Sequence, residues 1–250
     1  MTPIATGVQS LTEPIGYLGG RWMLHPDVLG PCREAGYPHG YAYYVAGRGG
    51  VLGDVDADVI TAAFGFFEPA LVRKMWNAGV AVEGAAAAAK RYGAACAQFG
   101  RARLVGFDGA ARLAELAGRV AADADVTGLP LFAGWRRQPL PDDAAGRAYF
   151  LLHVLRELRG GAHLLAVVAT GLGPRAAVFA SGGTDSADRF GWAGPFDDLA
   201  GVSKKPAEDL TDEILTRLYS AVLTTDEVTE LAGLVTAMRT HFDAYVPTDG

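Results

Sequence analysis

Residues that start helices and residues that end them recur along this chain, separated by stretches about as long as a typical helix. This pattern most constrains its fold. Prolines and aspartates that favour a first helical turn alternate with glycines that favour a last one. Between them, apolar residues recur every three or four positions, as in the stripe Ala62, Phe66, Pro69 and Val72. Long alternation of apolar and polar residues, the mark of a half-buried strand, is missing from the sequence. The sequence therefore predicts a mainly α-helical protein.

A break near the middle of the chain divides the predicted helices into two packed halves. The break spans residues 123–141 and contains two glycines and three prolines: Gly128, Pro130, Gly134, Pro139 and Pro141. Such residues punctuate helices and favour connections. We therefore expect an N-terminal helical domain over residues 11–125 and a C-terminal, winged-helix-like one over residues 140–246.

Three glycine-rich segments predict interruptions within these halves. Residues 47–50 are expected to form a turn, and the Gly160–Gly161 pair to end a helix that begins near residue 143. Residues 182–206, rich in glycine, proline and aspartate, are expected to be irregular. A last helix over 226–245 carries an apolar stripe that serves either the core or a homodimer.

Composition and charge limit the classes of function. Half of the 250 residues are apolar and 20% are charged, which suits a folded globular protein and not a disordered one. The 28 acidic residues outnumber the 22 basic ones, giving a net charge of −6. This acidic balance argues against nucleic acid as a partner, because phosphate binding needs clustered lysine and arginine.

The location of the protein is predicted from what the sequence lacks. Cys32 and Cys96 lie 64 residues apart, which suggests two free thiols in a reducing compartment. The sequence shows neither a secretion signal nor an apolar run of about 18 residues, the length that spans a bilayer. We expect a cytoplasmic protein with no membrane partner.

The strongest candidate for chemistry is the helix that begins near residue 143. Tyr149, His153 and Glu157 are spaced by four and share one face, with Arg156 beside them. A histidine between a carboxylate and a phenol is suited to carry a proton, so His153, Glu157 and Arg156 are the predicted catalytic residues. An ordinary half-buried face with a His153–Glu157 pair is the structural alternative.

Two further segments supply candidate ligand-binding residues. Arg156, Arg159 and His163 flank the glycine pair and converge on one anionic or carbonyl group if the chain turns there; otherwise they are cations at a helix end. Tyr41, Tyr44 and Arg48 suit an apolar ligand that carries one polar group. The structural alternative is that these residues pack in the core, with Arg48 capping a helix. The predicted substrate-binding set, in a pocket between the halves, is Tyr41, Tyr44, Arg48, Trp135, Tyr149, Arg159 and His163.

Metal and cofactor motifs are missing from the sequence. The five histidines show no metal-binding spacing, and no dinucleotide, Walker or nucleophile-elbow motif occurs. We therefore expect neither a metal nor a cofactor, while a haem or flavin held by shape alone stays an alternative.

Short motifs spread over most of the chain resemble the SalK-like actinobacterial family, which is described as related to helix-turn-helix or winged-helix proteins. The matching pieces are Glu13-Pro14-Ile15, Gly40–Tyr44, Gly47-Arg48, Leu52-Gly53, Phe64, Phe67, Pro69-Ala70, Val72, Gly128–Phe132, Pro139, Pro141, Leu155–Glu157, Arg159-Gly160 and His163. The chain departs from the family pattern at Gly16 and Leu158, where histidines are usual, and at Gly161-Ala162, where Asp-Gly is usual. It therefore resembles a divergent member.

The resemblance implies a role in natural-product biosynthesis, with an epimerase-like or cyclase-like reaction. Together with the candidate residues, it leads us to expect a cofactor-independent tailoring enzyme of isomerase, epimerase or cyclase type that acts on an apolar small molecule. The alternative is a ligand-sensing winged-helix transcription regulator, and a non-catalytic binding protein is a third. Against the regulator, the expected reading helix, 212–221, has two acidic residues and one basic residue.

Overall fold

The computed structural model describes residues 2–245. This part of the chain forms twelve α-helices and no β-strand, so the mainly α-helical prediction is confirmed. Two 3-10 turns, Gly50–Leu52 and Asp197–Leu199, complete the regular structure. The helices are α1 Pro3–Arg21, α2 Pro26–Glu34, α3 Gly40–Gly49, α4 Ala57–Phe64, α5 Pro69–Glu83, α6 Ala85–Arg103, α7 Ala110–Asp123, α8 Pro130–Trp135, α9 Ala144–Ala169, α10 Pro174–Arg189, α11 Lys205–Ser220 and α12 Thr225–Asp243.

Local side chains set the starts of several helices. The carboxylate of Asp56 accepts a hydrogen bond from the second residue of α4, and that of Asp143 accepts one from Gly146 at the start of α9. Thr224 and Glu227 form a reciprocal capping box at the start of α12. These contacts satisfy backbone N–H groups that a helix cannot satisfy itself.

The long helix α9 is the centre of the bundle. It packs against α1, α6, α7, α8 and α11, and most of its residues from Ala148 to Leu158 are fully buried. A helix that is apolar on nearly all sides must be enclosed by other helices. Its core is continuous with that of α3 and α5, so residues from both predicted halves share it. The division at residues 125–140 stays a prediction.

Two of the three predicted interruptions are wrong, because their glycines serve close packing. A Cβ on Gly47 would lie 2.6 Å from the ring of Tyr92, and one on Gly161 would lie 2.7 Å from Leu129. Residues 47–49 therefore belong to α3, and α9 runs unbroken through Gly160 and Gly161.

The third predicted interruption is partly helical. Helix α10 extends to Arg189 through a kink at Gly182 and Gly183, and the chain between α10 and α11 is irregular apart from one 3-10 turn. Within residues 2–245 the C-terminal half carries no β wing. Helical packing is therefore the part of the winged-helix-like description that the structure supports.

The apolar stripe of the last helix lies inside the protein. Val228, Leu231, Val235 and Met238 are fully buried, and α12 packs against α1 and α7. The stripe is thus core and is not available as a dimer surface.

No single helix in residues 2–245 has the length and apolar character needed to cross a bilayer, and α9 and α10 meet these requirements only as a pair bent by 112°.

We expect Gly79→Ala to destabilise the protein by about 1–3 kcal/mol. Helix α5 continues through Gly79 to Glu83 and packs closely against α3. An added Cβ would lie 2.3 Å from the carbonyl oxygen of Ala42, and backbone cannot move aside cheaply. Urea unfolding measures the loss.

The matched control for this change is Gly233→Ala. Gly233 is also helical, and a Cβ there meets open space, so the greater helix propensity of alanine should stabilise by up to about 1 kcal/mol. Equal stability of the two variants would contradict the close contact between α3 and α5.

Candidate functional site

A cavity of about 1140 Å³ runs along one side of α9. Side chains of α4, α10 and α11 and the segments 66–67 and 128–132 form its other walls. Most lining groups are apolar, and the cavity is as large as typical small-molecule sites. The apolar lining includes Val59, Phe64, Phe66, Phe67, Leu131, Phe132, Leu164, Leu165, Val168, Val178, Leu210 and Ile214.

One edge of this cavity opens to solvent through an apolar rim. Val59 is 47% exposed, Leu165 is 40% exposed and Val168 is 65% exposed, although all three line the cavity. Large exposed apolar side chains that cluster around a hollow commonly mark a binding site.

An arginine–glutamate cluster forms the buried end of the cavity. The Nε and Nη2 atoms of Arg48 donate to the two carboxylate oxygens of Glu157, at 2.9 and 2.8 Å. Nη1 of Arg48 donates to the Tyr44 hydroxyl, and Nη1 of Arg156 donates to Glu157 at 3.0 Å. The Arg48 guanidinium also lies over the Phe64 ring, 4.5 Å from its centre. The forked geometry fixes both groups.

The charges of this cluster are strongly stabilised. Burial by itself would raise the pKa of Glu157, but Arg48 and Arg156 outweigh it and lower that pKa to about 2. Burial likewise opposes the charge of Arg48, and the Glu157 carboxylate raises its pKa instead. Glu157 therefore stays ionised at neutral pH and is a poor proton acceptor.

A second polar cluster follows on α9, within two turns after Glu157, and includes Arg159 and His163. Arg159 donates to Glu208 of α11 at 3.0 Å, and Lys204 lies 3.7 Å from the same carboxylate. The His163 ring stacks on Phe66, and its Nδ1 lies 2.9 Å from the Thr211 hydroxyl.

The hydrogen bonds of Thr211 assign the tautomer of His163. The Thr211 hydroxyl donates to the Ala207 carbonyl, so it accepts from His163, and Nδ1 carries the proton. Burial, together with Arg159, lowers the pKa of His163, so the neutral ring predominates at pH 7, and its unprotonated Nε2 lies 3.9 Å from the Glu208 carboxylate. This nitrogen is suited to accept a proton.

Six of the ten predicted site residues line the cavity: Tyr44, Arg48, Arg156, Glu157, Arg159 and His163. Tyr41, Trp135 and Tyr149 do not line it, and the polar atom of each makes a hydrogen bond elsewhere in the protein. The Tyr41 hydroxyl donates to the Arg189 carbonyl and that of Tyr149 to the Leu18 carbonyl. The Trp135 indole N–H donates to the backbone carbonyl of Arg48 and thereby helps to hold Arg48 in place.

His153, the predicted proton carrier, lies in the core and does not line the cavity. Its ring packs against Trp22 and Trp135 and is fully buried. Neither ring nitrogen has a hydrogen-bond partner within residues 2–245, and Nδ1 lies 3.9 Å from Glu157. Burial lowers the pKa of His153 to about 3, so it is neutral near pH 7 and has no route to a ligand.

Sequence reasoning missed the contribution of α11. Lys204, Glu208 and Thr211 all contribute to the second cluster, but the predicted helix began at residue 212. Their spacing of four and three was the available signal, since it places them on one helical face.

Metal ligands do not cluster in the described chain. No group of three histidine, cysteine or acidic side chains within residues 2–245 is placed to hold a metal ion.

Fold and cavity together define an all-helical protein with a small-molecule-sized cavity. The chain belongs to a helix-turn-helix family, whose sequence model matches residues 8–196. No curated protein and no solved structure matches the chain. The helix that the sequence suggested for DNA reading, 212–221, lies beyond the matched residues.

We expect Arg48→Met to destabilise the protein by about 3–5 kcal/mol, because it leaves the buried Glu157 carboxylate without its main partner. The double variant Arg48→Met/Glu157→Leu should regain most of this loss, since neither charge then needs a partner. Urea unfolding of both variants tests the pair. A double variant no more stable than the single one would contradict this account.

We expect His153→Phe to reduce the pH dependence of stability between pH 4.5 and 6.5, and the slope that remains belongs to other histidines with a lowered pKa, His25 and His163. The folded-state pKa of about 3 lies below the ordinary 6.5, so the unfolded chain binds the extra proton in this range. Stability therefore rises with pH there, by up to about 1.4 kcal/mol per unit for this group, and levels off above pH 6.5.

Urea unfolding at several pH values measures this slope. The loss that Glu157 causes as pH falls from 4.5 towards 2 should remain in the variant, which makes it an internal control. Identical slopes in both proteins above pH 4.5 would contradict the buried, neutral state of His153.

Proposed function

We propose that the protein binds an apolar small molecule in the cavity along α9 and catalyses a proton transfer on it, as a cofactor-independent tailoring enzyme. The observation that supports the proposal is a mainly apolar cavity whose lining includes two polar clusters, one around Glu157 and one around Glu208. The resemblance to SalK-like proteins favours isomerase, epimerase or cyclase chemistry in natural-product biosynthesis.

His163 is the residue best placed to move the proton. Its Nε2 would accept a proton from a carbon next to a ligand carbonyl, and the electron pair of that C–H bond would move onto the carbonyl oxygen. Arg159 and Lys204, the nearest cations, would stabilise the negative oxygen. Return of the proton to the other face or to another carbon would complete an isomerisation without a cofactor.

We expect N-phenyl-1-naphthylamine, a neutral apolar dye, to bind the cavity saturably and to fluoresce there. Gly160→Phe should abolish this signal, because Gly160 lines the cavity and a side chain there meets open space. Gly233→Phe, on the exposed side of α12, is the control and should bind like the parent. Equal dye binding by both variants would contradict a ligand site in this cavity.

We expect His163→Gln to remove catalysis while keeping ligand binding. The bound ligand is identified by mass spectrometry of the purified protein and is then incubated with the enzyme in D2O. The parent should incorporate deuterium at the acidic carbon, and His163→Gln should reduce the rate by at least about 100-fold. His153→Phe is the control, and an unchanged rate in His163→Gln would remove that residue from the mechanism.

The family match favours a second candidate, a ligand-sensing DNA-binding regulator. Helices α4 and α5 lie within the matched residues and are joined by a four-residue turn with Gly65 at φ +59°, and turns of this length with a glycine are common in helix-turn-helix pairs. Exposed Arg73 and Lys74 lie on α5, which would be the reading helix of such a pair in place of the helix 212–221.

Electrostatics weigh against this second candidate. Arg73 is paired with Asp58, and the segment 54–83 holds five acidic residues against two basic ones. Binding to random duplex DNA at low salt distinguishes the two candidates. Submicromolar binding that falls steeply with salt and is lost in Lys74→Ala would establish the regulator.

A further inference from the structure

The charges that line the cavity do not balance. The lining contains four cationic side chains and two carboxylates, a surplus of two positive charges in a chain whose net charge is −6. His163 adds none, because its lowered pKa keeps it neutral. The six charged lining residues are Arg48, Arg156, Arg159, Lys204, Glu157 and Glu208.

Half of this surplus belongs to the buried cluster. Arg48 and Arg156 share the single carboxylate of Glu157, and the neutral His153 is the other titratable group against it. A net positive charge in a poorly hydrated site favours an anion as its counterpart.

Arg156 is the side chain with unused donors in this cluster. It makes one hydrogen bond within residues 2–245, from Nη1 to Glu157, so Nε and Nη2 have no protein partner. Its side chain is 28% exposed, against 9% for Arg48, and it lines the cavity. A guanidinium with two unused nitrogens offers a carboxylate two parallel hydrogen bonds.

We propose that the ligand of this cavity is an apolar carboxylic acid whose carboxylate binds Arg156. This inference rests on the proposed function and adds the chemical class of the ligand. A single carboxylate matches the surplus at the buried cluster, and the apolar body lies against α4 and the 164–168 side of α9.

The position of His163 fits a ligand of this kind. His163 lies seven positions after Arg156, which corresponds to about 10 Å along α9. The carboxylate therefore anchors the ligand roughly 10 Å from the carbon that loses a proton. The second surplus positive charge lies at Arg159 and Lys204, which share Glu208. It would stabilise the ligand carbonyl oxygen that becomes negative when His163 removes the proton.

A second cavity must be controlled for in any binding test. It has a volume of about 570 Å³, lies between α2 and α6 and has Lys90 on its rim. Its two arginines are paired, Arg91 with Glu83 and Arg103 with Asp27. A minor fraction of the signal that survives Gly160→Phe is assigned to such other sites and subtracted, whereas undiminished dye binding in that variant counts against the cavity along α9.

The test is displacement of N-phenyl-1-naphthylamine by decanoate and by 1-decanol. The two share one chain, and decanol is the more apolar, so the hydrophobic effect favours decanol. We expect decanoate to displace the dye at a concentration at least tenfold lower than decanol. Arg156→Gln should reduce that preference to within about twofold when both displacements are referred to the variant's own dye affinity, and urea unfolding should show that the variant is folded.

Arg112→Gln is the matched control, because it removes the same charge from α7, away from the cavity, and should keep the full preference. Equal displacement by the two compounds, or a preference that survives Arg156→Gln, would overturn the proposed carboxylate site. Dye binding that Gly160→Phe does not block would instead overturn the proposed function.

Discussion

The carboxylate of Glu157 is buried at the centre of the bundle, and much of the structure is arranged to accommodate its charge. Arg48 of α3 pairs with it, Phe64 of α4 covers the guanidinium, and Trp135 of α8 donates to the Arg48 backbone. One ion pair thus connects α3, α4 and α8 to α9. Since an apolar pair of similar size often stabilises a core more than a buried ion pair does, stability is a weak reason for this arrangement. Its place at the cavity wall points to binding.

The sequence predicted the helices and most of the polar residues of the site, but not which of them meet. Spacing of four correctly placed His153 and Glu157 on one face of a helix. It could not show that α9 is enclosed on nearly every side, so that Glu157 reaches the cavity while His153 one turn earlier packs between two tryptophans. Periodicity identifies the buried face of a surface helix, and a fully buried helix has no such face to identify.

The Gly160–Gly161 pair shows a second limit, because glycine has two uses in helices. It ends them through its backbone freedom, and it allows neighbouring chains to approach where a Cβ would clash. Gly161 serves the second use against Leu129. Because α9 does not turn there, Arg156, Arg159 and His163 form a row along one helix and do not surround a single point. The row suits an elongated ligand with polar groups at separate places.

Helix α4 lines the cavity and lies within the residues that the helix-turn-helix family model matches. Val59 and Phe64 of α4 line the cavity, while the same helix packs against α5. A ligand in the cavity would therefore contact α4, and an enzyme and a ligand-sensing regulator that binds DNA through α4 and α5 need the same geometry up to this point. They differ at the outer surface of α5, where a regulator needs unpaired cations to replace the counterions of DNA. In this chain Arg73 is paired with Asp58, whereas the cations of the cavity exceed its carboxylates. The larger local surplus of positive charge thus lies in the cavity, which favours the small-anion proposal over the nucleic-acid one.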